Sequence, residues 1–183
     1  MQTKQVKLAN VFPLYGYKVE ICLFESHDIT VEYINWLNDP DVTKFSNQRF
    51  IEHNLESCIK YFNTFINSNN LFLSVRRRDN GQAIGTMTVY FAHHHGTADV
   101  GILIGDRTIW SMGYGQDAWC TLIDWLSCQQ ETRKVTAGTI ASNKGMINII
   151  ERCGMELEAI RKKQEIFEDQ PVDVLYYAKW HVS

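Results

Sequence analysis

The most informative part of the chain is TADVGILIGDRTIWSMGYGQDA, which spans residues 97–118. Aliphatic residues alternate with other residues over 97–104, which predicts a β-strand. Two glycines, Gly113 and Gly115, then lead into a run with helical periodicity from about 114 to 127. Free backbone N–H groups at the start of such a helix, together with the helix dipole, favour an anion. We therefore expect a phosphate-bearing ligand at the start of this helix.

The flanking sequence extends this strand and helix into a mixed α/β pattern. Asp28 and Asn54 are the predicted N-caps of two earlier amphipathic helices, and Asn38-Asp39-Pro40 is expected to end the first of them. A fourth helix is predicted around Met146 to Cys153. The strands are expected at 17–24, 71–77, 82–91, 97–104, 134–140, 155–167 and 172–180.

The resulting order is β, α, α, β, β, β, α, β, α, β, β. It is an antiparallel meander that leads into one β-α-β crossover, unlike the strict alternation of a doubly wound sheet. The length of 183 residues predicts a single domain over 1–183. Its content of 45% hydrophobic and 21% charged residues is typical of a globular protein.

Charge and hydropathy exclude several kinds of partner. The net charge of −3 disfavours nucleic acid and anionic membranes, since binders of both carry a basic surplus. No apolar run is long enough to span a bilayer, and residues 1–7 lack the apolar run of a signal peptide. We therefore expect a cytoplasmic protein.

The cysteines and histidines do not suggest a metal site. The five cysteines are odd in number and widely spaced, which predicts buried free thiols and neither a disulfide framework nor a zinc site; they are Cys22, Cys58, Cys120, Cys128 and Cys153. The adjacent histidines 93–95 would point to opposite sides of an extended segment, so they cannot readily share one ion. His94 is instead a candidate contact for the substrate.

The glycine pair also fits the dinucleotide fingerprint G-x-G-x-x-G/A, as Gly113-x-Gly115-x-x-Ala118. In nicotinamide and flavin enzymes this fingerprint occupies a tight first turn after a strand. Here it lies late in the chain, about eight residues after its strand, and no second β-α-β-α-β half follows. The fingerprint alone therefore does not predict a dinucleotide enzyme.

Four segments in order suggest another family. They are NDPDV with QRF at 38–42 and 48–50, ADVGI at 98–102, WSMGYG at 110–115, and Asn143 followed by ERCGM at 151–155. Together they resemble the GCN5-related N-acetyltransferase (GNAT) family, in its branch of ribosomal-protein acetyltransferases (RimJ/RimL type). Trp110 stands where the family's pyrophosphate loop has Arg or Gln. The resemblance covers about residues 17–180. It implies the acyl-CoA N-acyltransferase fold, a central mixed, mostly antiparallel twisted sheet flanked by about four helices.

The resemblance implies that acetyl-CoA is the cosubstrate and that no metal takes part. Residues 102–104 would pair with pantetheine as an added strand, and the backbone N–H groups of 112–116 would hold the pyrophosphate. Asn143 would bond the pantetheine arm or the thiol end, a role compatible with capping a helix. The implied cofactor-binding residues are Ile102, Leu103, Ile104, Met112, Gly113, Tyr114, Gly115, Gln116 and Asn143.

The implied reaction is direct attack of an amine on the thioester. Because an ammonium cannot attack, a base is needed, and Asp99 is the candidate, acting through water; a solvated or hydrogen-bonded strand-end carboxylate remains the alternative. A backbone N–H of the splayed strand would stabilise the oxyanion. The tyrosine that many relatives use as the acid is replaced by Ile150. Water, Ser142 or Tyr177 stay open as the acid.

The expected acceptor is a small molecule that bears an amine, such as a nucleotide-linked amino sugar or an aminoglycoside. The candidate substrate-binding residues are Arg49, Phe50, Tyr90 and His94, and Arg76 is a further candidate for contact with phosphate. Two alternatives are the α-amine of a protein N-terminus, as for the ribosomal-protein enzymes, and a non-catalytic acetyl-CoA-binding domain. An exposed last strand is compatible with either a monomer or a homodimer.

Overall fold

The computed structural model describes residues 11–181, so the prediction for residues 1–7 lies outside the described part of the chain. The elements are β1 (Leu14–Tyr15), β2 (Val19–Leu23), α1 (Val31–Asn38), α2 (Pro40–Thr43), α3 (Leu55–Ile66), β3 (Leu71–Arg77), β4 (Ala83–Ala92), β5 (Thr97–Ile104), α4 (Tyr114–Ser127), β6 (Lys134–Ile140), α5 (Lys144–Arg152), β7 (Glu156–Phe167) and β8 (Gln170–Trp180).

The predicted order of elements is confirmed, with two short additions, β1 and the one-turn helix α2. Asn54 caps α3 as predicted, and its side chain accepts from Ser57 N at 2.9 Å. The predicted cap at Asp28 is wrong. Thr30 caps α1 instead, accepting from Tyr33 N at 3.1 Å, because Asp28 belongs to a preceding 3₁₀ turn and forms an ion pair with Arg76.

Eight strands form one sheet in the order β1-β2-β3-β4-β5-β6-β8-β7. The β5–β6 pair is parallel, and the other neighbouring pairs of the described chain are antiparallel. This is the mixed, mostly antiparallel sheet that was predicted. Helices cover both faces: α4 and α5 contribute buried side chains to one apolar core, and α1 and α3 contribute to the other.

The last strand is not the exposed edge that the sequence suggested. β8 lies between β6 and β7, and Tyr177 on β8 is 2% exposed. The chain reverses at the β7–β8 hairpin, so that β7 becomes the outer strand and almost all of its residues are exposed. The argument for a dimer that rested on an exposed last strand therefore does not hold.

The cysteines differ from the prediction of free thiols. Cys120 on α4 and Cys153 after α5 form a disulfide. Cys22, Cys58 and Cys128 are free, and of these only Cys58 is buried. The sequence could not reveal the disulfide because its cysteines are 33 residues apart and meet only where α4 packs against α5.

Within residues 11–181 we find no helix that is both long and apolar enough to cross a membrane.

Candidate active site

The candidate site is a groove that opens where β5 and β6 separate. The two strands pair in parallel from Thr97 to Asp99, opposite Lys134–Thr136, and their described residues form no register pair beyond that point. A cavity of about 630 Å³ fills the gap. Among its lining residues are seven of the predicted cofactor-binding residues, Ile102, Leu103, Ile104, Gly113, Gly115, Gln116 and Asn143.

The start of α4 provides a set of free backbone donors at one end of this groove. Gly113 is the N-cap and has a φ of +85°, a conformation that glycine adopts without strain. The N–H groups of residues 113–116 donate no hydrogen bond to any residue in the described range 11–181. Met112 differs from the prediction, since its N–H already donates to Ile109 O at 3.2 Å. An anion at this helix start would meet four N–H groups instead of the five predicted.

Lys18 and Asp117 hold this helix start in place, and the sequence analysis missed both. The Asp117 carboxylate accepts from the backbone N–H groups of Tyr17 at 3.0 Å, Lys18 at 2.7 Å and Val19 at 3.1 Å. Lys18 Nζ donates to Met112 O at 2.7 Å and lies 5.3 Å from the centre of the Tyr114 ring. The segment that leads into β2 therefore fixes the loop, and Lys18 adds a positive charge beside its free N–H groups.

Trp110 closes the loop onto the end of β5. Its indole N–H donates to Ile104 O at 3.0 Å. Arg107 lies over the Trp110 ring at 5.8 Å and forms ion pairs with Asp39 and Asp41. These contacts give the Asn-Asp-Pro-Asp segment a structural role, because its two carboxylates bind Arg107 and so hold α2 against the loop before α4. They also give Trp110 a structural role at the position where the related enzymes have Arg or Gln.

Asn143 caps a helix and lies at the groove. Its Oδ1 accepts from Met146 N at 3.2 Å and so caps α5. The side-chain amide N–H₂ is left with two donors, and the residue lines the groove. Capping fixes the orientation of the side chain, which leaves its donors available to a ligand.

Asp99 lies at the point where the strands separate. Its side chain points to the face of the sheet opposite the α4 core, since Ala98 and Val100 on either side of it are buried in that core. Thr136 Oγ1 donates to its Oδ2 at 2.7 Å, which lowers the pKa, but loss of hydration is larger and raises the pKa of the Asp99 carboxyl above its usual range. The side chain is nevertheless exposed to solvent. A carboxylate with these properties can accept a proton from a bound water or amine.

Two glycines on the same face are closely approached by side chains of the neighbouring strands. A Cβ atom at Gly101 would lie 2.9 Å from Thr88 Oγ1, and a Cβ atom at Gly138 would lie 3.2 Å from the Tyr176 ring. Both glycines line the groove, one on each of the separating strands. Side chains at these positions would narrow the gap between the Asp99 face and the groove.

The tip of the β7–β8 hairpin packs against the segment that follows α2. The rings of Phe45 and Phe167 stack with centroids 5.3 Å apart. Lys44 pairs with Glu168 at 3.2 Å, and Arg49 Nη2 donates to Ile166 O at 3.1 Å. Phe45 also lines the groove. The α2 segment and the hairpin tip therefore form one joined cover, which we call the hairpin cover.

The predicted substrate-binding residues occupy different places. Tyr90 pairs with Asp99 across β4 and β5, and its hydroxyl lies 3.0 Å from that of Tyr61. Arg49 instead donates to two backbone carbonyls and stacks on Phe50 at 4.2 Å, and Phe50 is largely exposed. His94 lies in an exposed turn between β4 and β5 and does not line the groove.

Arg76 does not fit the suggested role in phosphate binding. Its guanidinium forms an ion pair of 2.5 Å with Asp28, whose side chain is almost fully buried. A phosphate would have to displace this carboxylate, so Arg76 is a structural residue. The run of arginines in the sequence gives no sign of this partner, because Asp28 is 48 residues away from Arg76 in the chain.

The structure also narrows the candidates for the general acid, the group that would protonate the leaving thiolate. Ile150 is fully buried in the core. Tyr177 donates to Glu151 at 3.0 Å, and burial together with this bond raises its pKa to about 12, so it is directed away from the groove and is a poor acid. Ser142 does not line the groove. Of the three candidates, water is the one that the geometry leaves for protonating the leaving thiolate.

The described chain, residues 11–181, contains no cluster of three or more His, Cys, Asp or Glu side chains able to hold a metal ion.

Comparison with known proteins identifies relatives of this fold. A family model described as "Acetyltransferase (GNAT) domain" matches residues 19–156. A search of curated proteins found no match. Among solved structures, a GNAT-family acetyltransferase from Bacillus anthracis is 19% identical with a TM-score of 0.77, over 92% of this chain and 98% of that one.

Two further structures show the same fold. A RimL ribosomal L7/L12 α-N-protein acetyltransferase in complex with coenzyme A is 12% identical, with a TM-score of 0.79 over 92% of this chain and 96% of that one. Spermidine N-acetyltransferase from Vibrio cholerae, in complex with CoA and spermine, is 15% identical, with a TM-score of 0.78 over 90% of this chain and 96% of that one. At these identities the likeness concerns the fold.

Proposed function

The chain belongs to the GNAT acetyltransferase family, and on that premise we propose that it transfers the acetyl group of acetyl-CoA to a primary amine of a small molecule, such as a nucleotide-linked amino sugar. The chain is an N-acetyltransferase, and acetyl-CoA is its cosubstrate. The acceptor and the roles of individual residues are the parts that we propose.

The groove fits acetyl-CoA in both shape and polarity. The edge of β5 from Ile102 to Ile104 faces the gap left by β6 and would pair with the pantetheine arm as an added strand, except at Ile104 O, which accepts from the Trp110 indole. The free N–H groups of residues 113–116 would hold the diphosphate, and the charge of Lys18 would offset part of its negative charge. Asn143 would donate to the arm. When bound, acetyl-CoA supplies the thioester that the amine attacks.

Asp99 acts as the base in this proposal. It accepts a proton from the acceptor's ammonium through water, which frees the nitrogen lone pair to attack the thioester carbon. A backbone N–H group of the separated β5 edge stabilises the negative charge on the carbonyl oxygen. The C–S bond then breaks, the nitrogen gives up its remaining excess proton to water, and water returns a proton to the thiolate, so that the products are the amide and the free thiol of CoA. A thiol pKa near 8.5 makes this an adequate leaving group without a tyrosine acid.

The observation that carries the choice of a small acceptor is the hairpin cover. Phe45 lines the groove and stacks on Phe167, and Lys44 and Glu168 join the two parts of the cover. An extended polypeptide would have to part these contacts to place its N-terminal amine beside Asp99. A small molecule could enter from the open edge next to Tyr176.

That open edge carries a feature suited to a nucleotide-linked sugar. The Arg161 guanidinium stacks over the Tyr176 ring at 4.6 Å, and Tyr176 lies beside Gly138 at the groove. A planar cation on an aromatic ring can meet a phosphate and a base or sugar together. Arg161 therefore replaces Arg49 and Arg76 as our candidate for contact with the acceptor's phosphates.

A second candidate acceptor is the α-amine of a protein N-terminus. The motifs at 38–42 and 110–115 resemble the ribosomal-protein branch, and one solved structure with the same fold is that of a RimL ribosomal L7/L12 α-N-protein acetyltransferase. In that case the hairpin cover would have to open to admit the peptide.

A mass-spectrometric screen separates the two candidates. The protein is incubated with isotopically labelled acetyl-CoA and with UDP- or dTDP-linked amino sugars, aminoglycosides, polyamines, or peptides with free N-termini. We expect label on the nucleotide-linked amino sugars, with a lower KM than for the same sugars lacking the nucleotide. Label on peptides alone would support the second candidate and overturn the first.

A further inference from the structure

An arginine without a partner lines the groove. Among the groove-lining residues of the described chain, 11–181, Arg152 is the only lysine or arginine. It is the last residue of α5, and its side chain is exposed to solvent. Within residues 11–181 its guanidinium has no hydrogen bond, ion pair or ring contact.

The other arginines differ from Arg152 in this respect. Each of them donates a hydrogen bond to another group or stacks on an aromatic ring; they are Arg49, Arg76, Arg77, Arg78, Arg107, Arg133 and Arg161. A guanidinium that is already bonded inside the protein is not available to a ligand, whereas that of Arg152 keeps all five of its N–H donors. Arg152 is therefore the arginine that a negatively charged ligand in the groove can reach without breaking another contact.

Arg152 lies at the end of the groove where α4 begins. The helix α5 runs along the groove, since Asn143 at its start and Ile149 and Arg152 near its end all line it. At Ile149 the helix meets the first turn of α4, because Gln116 Nε2 donates to Ile149 O at 3.3 Å. Arg152 follows Ile149 by three residues, which is about 4.5 Å along the helix axis. Arg152 is therefore near the free N–H groups of residues 113–116 and farther than they are from Asn143.

Coenzyme A carries a second phosphate group beyond its diphosphate. This 3′-phosphate on the adenosine ribose is a monoester, with a charge of about −1.5 to −2 near pH 7. With the pantetheine arm along β5 and the diphosphate at residues 113–116, the adenosine follows at the end of the groove where Arg152 lies. The planar fork of an arginine can bond two oxygens of one phosphate group at once.

We infer that the Arg152 guanidinium binds the 3′-phosphate of coenzyme A, so that Arg152 sets the preference of the protein for acetyl-CoA over its 3′-dephosphorylated form. The inference rests on the proposed use of the groove for acetyl-CoA. Because the arm and the thioester are the same in both forms, Arg152 determines which cosubstrate binds and takes no part in the acetyl transfer.

A substitution and a pair of ligands test this contact together. Arg152→Gln keeps a polar side chain and removes the charge and the fork. We expect its Kd for CoA, measured by calorimetry, to rise about fivefold to tenfold, whereas its Kd for 3′-dephospho-CoA should not change. The matched control is Lys144→Gln at the other end of α5, because Lys144 is exposed and does not line the groove. Equal rises for the two ligands in Arg152→Gln, or no rise for CoA, would overturn the inference.

A measurement on the unaltered protein covers the case in which Arg152→Gln fails to fold. The unaltered protein should bind CoA about fivefold to tenfold more tightly than 3′-dephospho-CoA at low salt. This ratio should fall as sodium chloride is added, because salt screens exposed charges. Equal Kd values for the two ligands at low salt overturn the inference while the proposed function stands. Absence of CoA binding to the unaltered protein would instead contradict the proposed function itself.

Discussion

The carboxylate of Asp117 lies 2.7 Å from the backbone nitrogen of Lys18, so the first turn of α4 is bonded to the beginning of β2, 99 residues earlier in the chain. Two further backbone N–H groups, of Tyr17 and Val19, donate to the same carboxylate. The helix start that presents free donors to the groove is therefore held from outside. The N–H groups of residues 17–19 are thus bonded to Asp117, whereas those of residues 113–116 stay available to a ligand.

Asp117→Ala should destabilise the protein more than loss of an ordinary surface carboxylate. Three N–H groups lose a charged acceptor, and we expect the free energy of unfolding in urea to fall by about 2 kcal/mol or more. The CoA affinity should fall as well, since the helix start loosens.

The matched control is Asp124→Ala on the same helix. Asp124 is 66% exposed and pairs only with Lys179, so its removal should cost less than about 1 kcal/mol. Equal losses for the two variants would show that the bonds to β2 contribute little.

Gly113→Glu should abolish measurable CoA binding without unfolding the protein. A Cβ atom at Gly113 would meet only Lys18 Nζ, at 3.9 Å, so the added side chain fits but brings a negative charge to the anion site. The positive φ adds about 1 kcal/mol of strain. Calorimetry with CoA and a thermal melt measure the two effects.

Gly81→Glu is the control for strain. Gly81 has a φ of +72° in the turn between β3 and β4, and no atom lies within 4 Å of an added Cβ. It should lose similar stability and keep the CoA affinity of the unaltered protein. If Gly113→Glu binds CoA normally, the assignment of the diphosphate to this helix start is wrong.

Asp99→Asn should lower kcat/KM by about 100-fold at pH 7. Because dehydration raises the pKa of Asp99, its ionised form becomes dominant at a higher pH than that of an ordinary carboxyl. The acidic limb of the pH profile should therefore be shifted to higher pH in the unaltered enzyme. The loss in Asp99→Asn should shrink at high pH, where more of the acceptor amine is already deprotonated.

The profile is measured with the best acceptor from the mass-spectrometric screen. Thr136→Val provides a comparison, because it removes the hydrogen bond that lowers this pKa. The acidic limb should move to higher pH in Thr136→Val. If the pH dependence of kcat/KM is unchanged in both variants, Asp99 is not the base.

Reduction of the Cys120–Cys153 disulfide should destabilise the protein. The bond closes a loop with a sequence separation of 33 residues, and loop-closure entropy for this length gives a loss of about 4 kcal/mol. Thiol titration of the denatured protein should find three groups before reduction and five after it.

Urea unfolding with and without dithiothreitol measures the loss. Cys153→Ser should be as unstable as the reduced protein and should not respond to dithiothreitol. Equal stability of the oxidised and reduced unaltered protein would show that the bond does not constrain the unfolded chain.

Local sequence patterns were sufficient to predict the helices and strands that form the groove. The alternation over 97–104, the apolar stripe of α4 and the cap at Asn54 depend on neighbours within a few residues, so the sequence alone predicts them. The order of elements and the four motifs then predicted the fold and family, and the family match bears this out. The roles of Asp99 and the predicted cofactor-binding residues stay predictions.

What the sequence by itself determined is thus the periodicity of the elements and the cap at Asn54. Only the tertiary structure decided which distant groups meet: Cys120 with Cys153, Asp28 with Arg76, and Tyr177 with Glu151. A side chain's role depends on these partners, because a guanidinium or hydroxyl already bonded inside the protein is not available to a ligand. Packing sets such pairings across long stretches of chain, and a single sequence carries no local signal of them.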